Sequence, residues 1–224
     1  MLETKDLTIR FGGHVAVNAV SCAFAPGTLT AIVGPNGAGK TTYFNLISGQ
    51  LKATNGTVSL DGRLLTGLPP SARTHAGLGR AFQLTNLFPN LTVLENVRLA
   101  VQATREGAHR RGLNLWSIWS DHKALSARAD EILAQVKLKA REHDTVASLP
   151  HGDQRKLEVA LLIALEPKVF MFDEPTAGMN AAEAPVILDL IRELKKDRTK
   201  TILLVEHKMD VVRELADRII VLHN

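Results

Sequence analysis

Leu29-Thr30-Ala31-Ile32-Val33-Gly34-Pro35-Asn36-Gly37-Ala38-Gly39-Lys40-Thr41-Thr42 carries the strongest architectural signal in the chain. Its first five residues form a short apolar run that reads as a buried strand, and Lys40 to about Ser48 reads as a helix. Between them, Gly34 to Thr41 satisfies G-x-x-x-x-G-K-[ST] in the strand-loop-helix setting that gives the pattern meaning. Glycines let the backbone turn tightly, so that successive N–H groups point at phosphate oxygens, and the helix N-terminus adds a partial positive charge. Lys40 supplies a point charge for the β- and γ-phosphates, and the Thr41 hydroxyl is a Mg²⁺ ligand. Gly34, Pro35, Asn36, Gly37, Ala38, Gly39, Lys40, Thr41 and Thr42 are therefore candidate binding residues for ATP with Mg²⁺. The plain alternative, a flexible glycine turn, would not need a strand before it and a helix after it.

Further along, Val169-Phe170-Met171-Phe172 reads as a second buried strand, and it stops at Asp173-Glu174-Pro175. A carboxylate at the carboxyl end of a parallel strand meets the nucleotide crevice of such sheets. Asp173 is placed to bind Mg²⁺, through water, and Glu174 to polarise the attacking water as general base. His207 follows a third strand, Thr201 to Val205, and could reach the γ-phosphate or that water. Gln83 ends a short strand, Leu78 to Gln83, where its amide could sense Mg²⁺ and water. The other histidines, His14, His75, His109, His122, His143 and His223, read as structural.

Around these motifs the chain alternates strand and helix. Leu2 to Phe11 and Val17 to Phe24 read as half-buried strands of a mixed sheet, and Gly56 to Gly62 as a strand and turn. From Thr92 through Val136 apolar residues recur at three-to-four spacing without a clear strand, the signature of an inserted helical subdomain. A helix over Gln154 to Leu165, a helix over Ala181 to Lys196, a helix over Met209 to Ala216 and a strand over Arg218 to Leu222 complete the alternation.

The composition agrees with one globular α/β domain carrying a subdomain: 224 residues, 45% hydrophobic and 22% charged. A net charge of +4 is scattered, with few aromatics among the basic residues, which argues against nucleic acid as a partner. Cys22 is the only cysteine, so the sequence carries neither a disulfide framework nor a thiolate cluster, as a reducing, cytoplasmic address would produce. No apolar run approaches the roughly 18 residues that a membrane-crossing helix needs.

Taken in order, Gly34 to Thr41, Gln83, Leu149 to Gln154, Phe172 to Glu174 and His207 resemble the nucleotide-binding subunit of an ABC transporter over nearly the full chain. The resemblance implies an α/β P-loop NTPase of the ABC-cassette fold. Its nucleotide-binding core would comprise residues 1–83 and 166–224, and its helical subdomain, with the signature, residues 84–165. It further implies that two cassettes sandwich two ATP molecules head to tail. Pro150, His151, Gly152 and Asp153 would then act on a partner's nucleotide, Ala177 to Asn180 would lie at the dimer seam, and Phe11 would stack on adenine. A core or edge-strand phenylalanine is the other reading of Phe11.

The signature departs from the family's Leu-Ser-Gly-Gly-Gln, because Pro150 supplies neither a hydroxyl nor a backbone N–H. What survives is Gly152 and a helix N-terminus, with proline tolerated at the first helical position. Phe82 to Phe88, Leu91 to Val97, His151 to Arg155, Thr176 to Asn180 and Val205 to His207 narrow the likeness to the ATPase subunits of branched-chain amino acid importers. Importers of urea or short amides look similar. The partners so implied are transmembrane permease subunits, a second ATPase cassette, identical or related, and, indirectly, a solute-binding protein. The implied address is peripheral, on the inner face of the cell membrane, with ATP hydrolysis as the activity. An exporter or regulatory cassette, and a soluble ABC-type ATPase of translation or DNA repair, are the rival readings. The family's chains usually continue past the last strand, so this sequence is expected to be a piece of a longer one.

Overall fold

The computed structural model describes residues 1–81, 87–108, 117–179 and 183–223. They fall into two compact units, the first comprising Met1–Arg80, Pro167–Pro175 and Ile191–Asn224, the second Ala81–Glu166 and Thr176–Leu190.

In the first unit the strands sort into two sheets. β1 (Leu2–Phe11) and β2 (His14–Phe24) form an antiparallel hairpin across Gly12 and Gly13, and β4 (Asn55–Leu60) and β5 (Arg63–Leu64) extend it in the order β2-β1-β4-β5. The apolar/polar alternation of β1 is interrupted where register shifts occur between Thr4 and Leu7, beside Asp6 at φ 49°. Leu2 and Thr4 are buried before the irregularity, and Leu7 and Ile9 after it.

The second sheet is parallel where its pairings are resolved, in the order β6-β7-β8-β3-β9. Its strands are β3 (Leu29–Val33), β6 (Leu78–Ala81), β7 (Val169–Asp173), β8 (Thr201–Val205) and β9 (Arg218–Val221). β7 and β8 are buried throughout, as expected of strands covered on both faces, which read as continuous apolar runs rather than alternations. The core of this unit joins Leu2, Leu7 and Phe24 of the antiparallel sheet to Ile32, Met171 and Leu203 of the parallel one. Tyr43, Phe44 and Ile47 of helix α1 (Lys40–Ser48) lie in the same cluster.

The far end of α1 is tied down by Arg73 on the short helix α2 (Pro70–His75), which sequence periodicity did not reveal. Arg73 is 4% exposed, and its Nη1 donates to the carbonyls of Leu46 at 2.7 Å and Ile47 at 2.6 Å. Nε donates to Leu68 O at 3.1 Å. The carbonyls of a helix's last turn have no partner within the helix, and a cation there also meets the negative end of its dipole.

The second unit is helical, with α3 (Val93–Ala108), α4 (Ser117–Gln135) and α5 (His151–Ala164) packed on one another. Thr92 and Glu95 form a reciprocal capping box at the start of α3, the hydroxyl accepting from Glu95 N and the carboxylate from Thr92 N. Val93, Val97 and Val101 form a buried stripe at three-to-four spacing on α3, and Ile132 and Val136 are buried as well. Thr176–Leu190 groups with this unit, whereas the sequence reading assigned it to the core. Contacts inside the unit account for this: a Cβ at Gly178 would lie 3.8 Å from His151, and one at Gly152 would meet the Glu183 carboxylate. Helices α6 (Ala184–Lys196) and α7 (Met209–Leu215) complete the chain.

Candidate functional site

Three strand ends meet at one edge of the parallel sheet. β3 runs into the glycine loop, β7 ends on Asp173, and β8, which lies between them, runs into Glu206 and His207. This carboxyl edge is where open α/β sheets bind ligands.

The loop closes on Gly39, which caps α1 with φ 82° and ψ 9° in the left-handed region. A Cβ there would lie 2.3 Å from the carbonyl oxygen of Ala16, and one on Gly34 would lie 2.2 Å from Leu222 O. Both are backbone atoms, so any side chain would push the loop off its supports. Lys40 is buried, and its ammonium donates to Gly34 O at 2.7 Å and Pro35 O at 2.9 Å, curling back over the loop that presents it.

Glu174 follows β7 with φ 51°, a left-handed conformation uncommon outside glycine, and is held there by donating its N–H to Val205 O at 2.9 Å. Its Oε1 lies 2.5 Å from His207 Nε2. Glu206, 3% exposed, accepts at Oε2 from His207 N at 2.7 Å and from Lys208 N at 3.2 Å, which fixes the turn carrying the histidine. Sequence reading assigned Glu206 no role.

A pocket of about 410 Å³ opens over the loop. Asn36, Gly37, Gly39, Lys40, Thr41 and Thr42 form its floor, and Glu174 and His207 one side. Its remaining lining comes from His14 and Ala16. His14, read from sequence as structural, lines this pocket, while Phe11 stands 50% exposed at the end of β1 and is not part of the lining.

Asp173 is buried at the end of β7, with Oδ2 accepting from Arg80 Nη2 at 2.7 Å. Burial pushes its carboxyl above the usual carboxylate range; the Arg80 guanidinium pulls it back down and the neighbouring Glu174 raises it. Thr41, exposed in the first turn of α1, and Asp173 are both hard oxygen donors, which suits Mg²⁺. Gln83 lies outside the described residues.

The signature sits in the second unit. Pro150 is the N-cap of α5 at φ −56° and ψ 152°, one position before the first helical residue where its sequence placed it. Its carbonyl accepts from Asp153 N and Gln154 N, both at 3.0 Å. His151, Gly152 and Asp153 thus form the first helical turn, so the helix starts before the Gln154 that sequence suggested. Asp153 is paired with Lys156 at 2.6 Å and Arg141 at 3.2 Å.

A glycine loop capping a helix, with carboxylates and a histidine at the adjoining strand ends, defines a nucleotide-binding protein of the P-loop class. The chain belongs to the ABC transporter family, which it matches over residues 17–177. It is 38% identical over 224 residues to the high-affinity branched-chain amino acid transport ATP-binding protein LivG of Escherichia coli K12, covering 100% of this chain and 88% of that one. To the BraF protein of the same description from Pseudomonas aeruginosa it is 35% identical over 225 residues, with the same coverage. Among solved structures, the dimeric post-hydrolysis state of an ATP-binding cassette bound to ADP and Pi superposes with a TM-score of 0.81. That cassette is 28% identical, and the match covers 99% of this chain and 94% of the cassette. Among the described residues no helix is long and apolar enough to cross a membrane.

Proposed function

We propose that this chain is the ATP-binding and ATP-hydrolysing subunit of an importer for branched-chain amino acids. The observation that carries the chemistry is the 2.5 Å contact of His207 Nε2 with Glu174 Oε1 on the side of a pocket floored by the phosphate loop. The loop's N–H groups and Lys40 bind the β- and γ-phosphates of ATP. Thr41 and Asp173 would hold Mg²⁺, which supplies neutralising charge on the phosphate oxygens, and Gln83 would report its presence. Glu174 takes the proton of the attacking water. Before nucleotide binds, His207 donates Nε2–H to that carboxylate; with ATP in the pocket the same N–H turns to the γ-phosphate as charge builds on it.

The transported solute rests on the relatives, whose names specify branched-chain amino acid transport and which match this chain along its whole length. In the working complex a second cassette faces the loop with its own signature, and Pro150, His151, Gly152 and Asp153 of this chain serve the partner's nucleotide. Transmembrane permease subunits anchor both cassettes to the inner face of the cell membrane. ATP bound across two cassettes favours the closed pair by its higher affinity for that state.

The direct test is Glu174→Gln. With ATP and Mg²⁺ it should retain nucleotide, lose hydrolysis and accumulate as a dimer in light scattering; finding only monomer would sink the proposal. Loss of labelled leucine uptake on deletion, with urea uptake intact, tests the solute.

A further inference from the structure

Arg80 is the last residue of the first of the three segments that make up the first unit. Its guanidinium is a fork held on two sides. Nη2 donates to Asp173 Oδ2 at 2.7 Å, while Nη1 donates to Asn45 Oδ1 at 2.6 Å and Ser48 Oγ at 2.9 Å. Its Cζ lies over the Phe44 ring, 5.6 Å from the centroid. Side-chain exposure is 11% for Arg80 and 6% for Asp173, so the pair is shielded from the solvent that would let either move.

Asn45 and Ser48 belong to α1, which opens with Lys40 and Thr41, and Asp173 closes β7. The fork therefore braces together the two elements that carry the oxygen donors for a divalent cation. Arg80 engages Oδ2, so Oδ1 is the oxygen through which Asp173 would meet the cation or a water in its shell. A lysine could place a charge here but could not hold three acceptors in one plane. A buried ion pair is weak evidence for stability by itself, which leaves its placement to be explained.

We infer that Arg80 is a positioning residue that fixes Asp173 relative to the phosphate-loop helix, so that Thr41 and Asp173 present one preformed Mg²⁺ site. This rests on the nucleotide reading above. Groups that orient metal ligands from behind change metal affinity by about 10–100-fold when removed.

The experiment uses the full chain and a fluorescent ATP analogue, titrated in EDTA and then with Mg²⁺ on the analogue-loaded protein. Arg80→Met should weaken Mg²⁺ binding by about 10–100-fold while leaving metal-free analogue affinity within about two-fold. Arg80→Lys should not restore it. Asn45→Ala, which leaves Arg80 and Asp173 in place but removes one anchor of the fork, should lose several-fold, and it decides the matter if Arg80→Met does not fold. Unchanged or tighter Mg²⁺ binding in Arg80→Met and Asn45→Ala overturns the inference, as does an equal loss with and without metal. A wild-type protein that binds no analogue overturns the nucleotide reading and this inference with it. Wild-type binding that Mg²⁺ tightens, with both variants unaltered, overturns only the role of Arg80.

Discussion

Replacing Arg73 by methionine would test how the phosphate-loop helix is held from its far end. Two effects oppose each other. Burial holds the guanidinium pKa below its usual value, so deleting the cation relieves a desolvation cost. Against this, the carbonyls of Leu46, Ile47 and Leu68 lose their donors at 2.7, 2.6 and 3.1 Å. A buried acceptor left unsatisfied costs about 1–3 kcal/mol, and two of these three terminate α1, where no helical N–H can replace the donor. The thioether refills most of the volume, so no large cavity term is added. Carbonyl loss outweighs desolvation relief, giving a net destabilisation of about 2–4 kcal/mol. For a chain of this size that lowers Tm by roughly 5–15 °C. Urea unfolding followed by circular dichroism measures it. A variant within about 0.5 kcal/mol of wild type, or more stable, would refute the argument and show that the arginine is a net burden at its site.

Gly39→Ala should cost about 1–2 kcal/mol for the left-handed backbone. It should also abolish tight ATP-analogue binding, because the new methyl would collide with Ala16 O; analogue affinity equal to wild type would contradict this. His14→Ala should weaken analogue binding by about three- to ten-fold, the worth of one hydrogen bond, in the same titration. Pro150→Ser restores a hydroxyl and an N–H at the cap of α5 and should raise the ATPase rate of the assembled transporter; an unchanged rate counts against it.

Glu158→Gln concerns stability alone. The Glu158 carboxyl sits above its usual range because burial outweighs the attraction of Arg155, and its Oε1 has no hydrogen-bond partner among the described residues. Ionising a group whose folded pKa is raised costs stability as pH rises through that pKa. The variant should therefore melt higher than wild type at neutral pH and lose that advantage below the ordinary carboxylate range, as thermal scans at several pH values would show.

What could be read in the sequence was what is local along the chain. Val33, Gly34 and Lys40 are neighbours in sequence as well as in space, and Asp173, Glu174 and His207 are marked by the apolar strands that end beside them. Arg80 and Arg73 carried no such mark. A lone arginine at a strand end or on a short helix reads as surface charge, and only the fold brings Asp173 or the end of α1 to it. His14 looked structural for the same reason: its place beside the loop is made by the hairpin, through Ala16 against Gly39. The start of α5 was set late because proline and glycine disfavour helix in isolation, whereas Pro150 offers the carbonyl that begins it. The short helix at Pro70 has proline at its first position but too few turns to show a period.

The sheet order carries a consequence for how the protein is made. β3, which leads into the phosphate loop, is bordered by β8 and β9, both far along the chain from it. During synthesis it must wait for about 170 further residues before its first neighbour emerges, roughly 10–35 s at ordinary elongation rates. For that interval an apolar strand has both hydrogen-bonding edges open. Until β8 and β9 have emerged the nascent chain exposes this strand, and ribosome-bound fragments ending before Thr201 should be more sensitive to protease at the glycine loop than fragments that include β9.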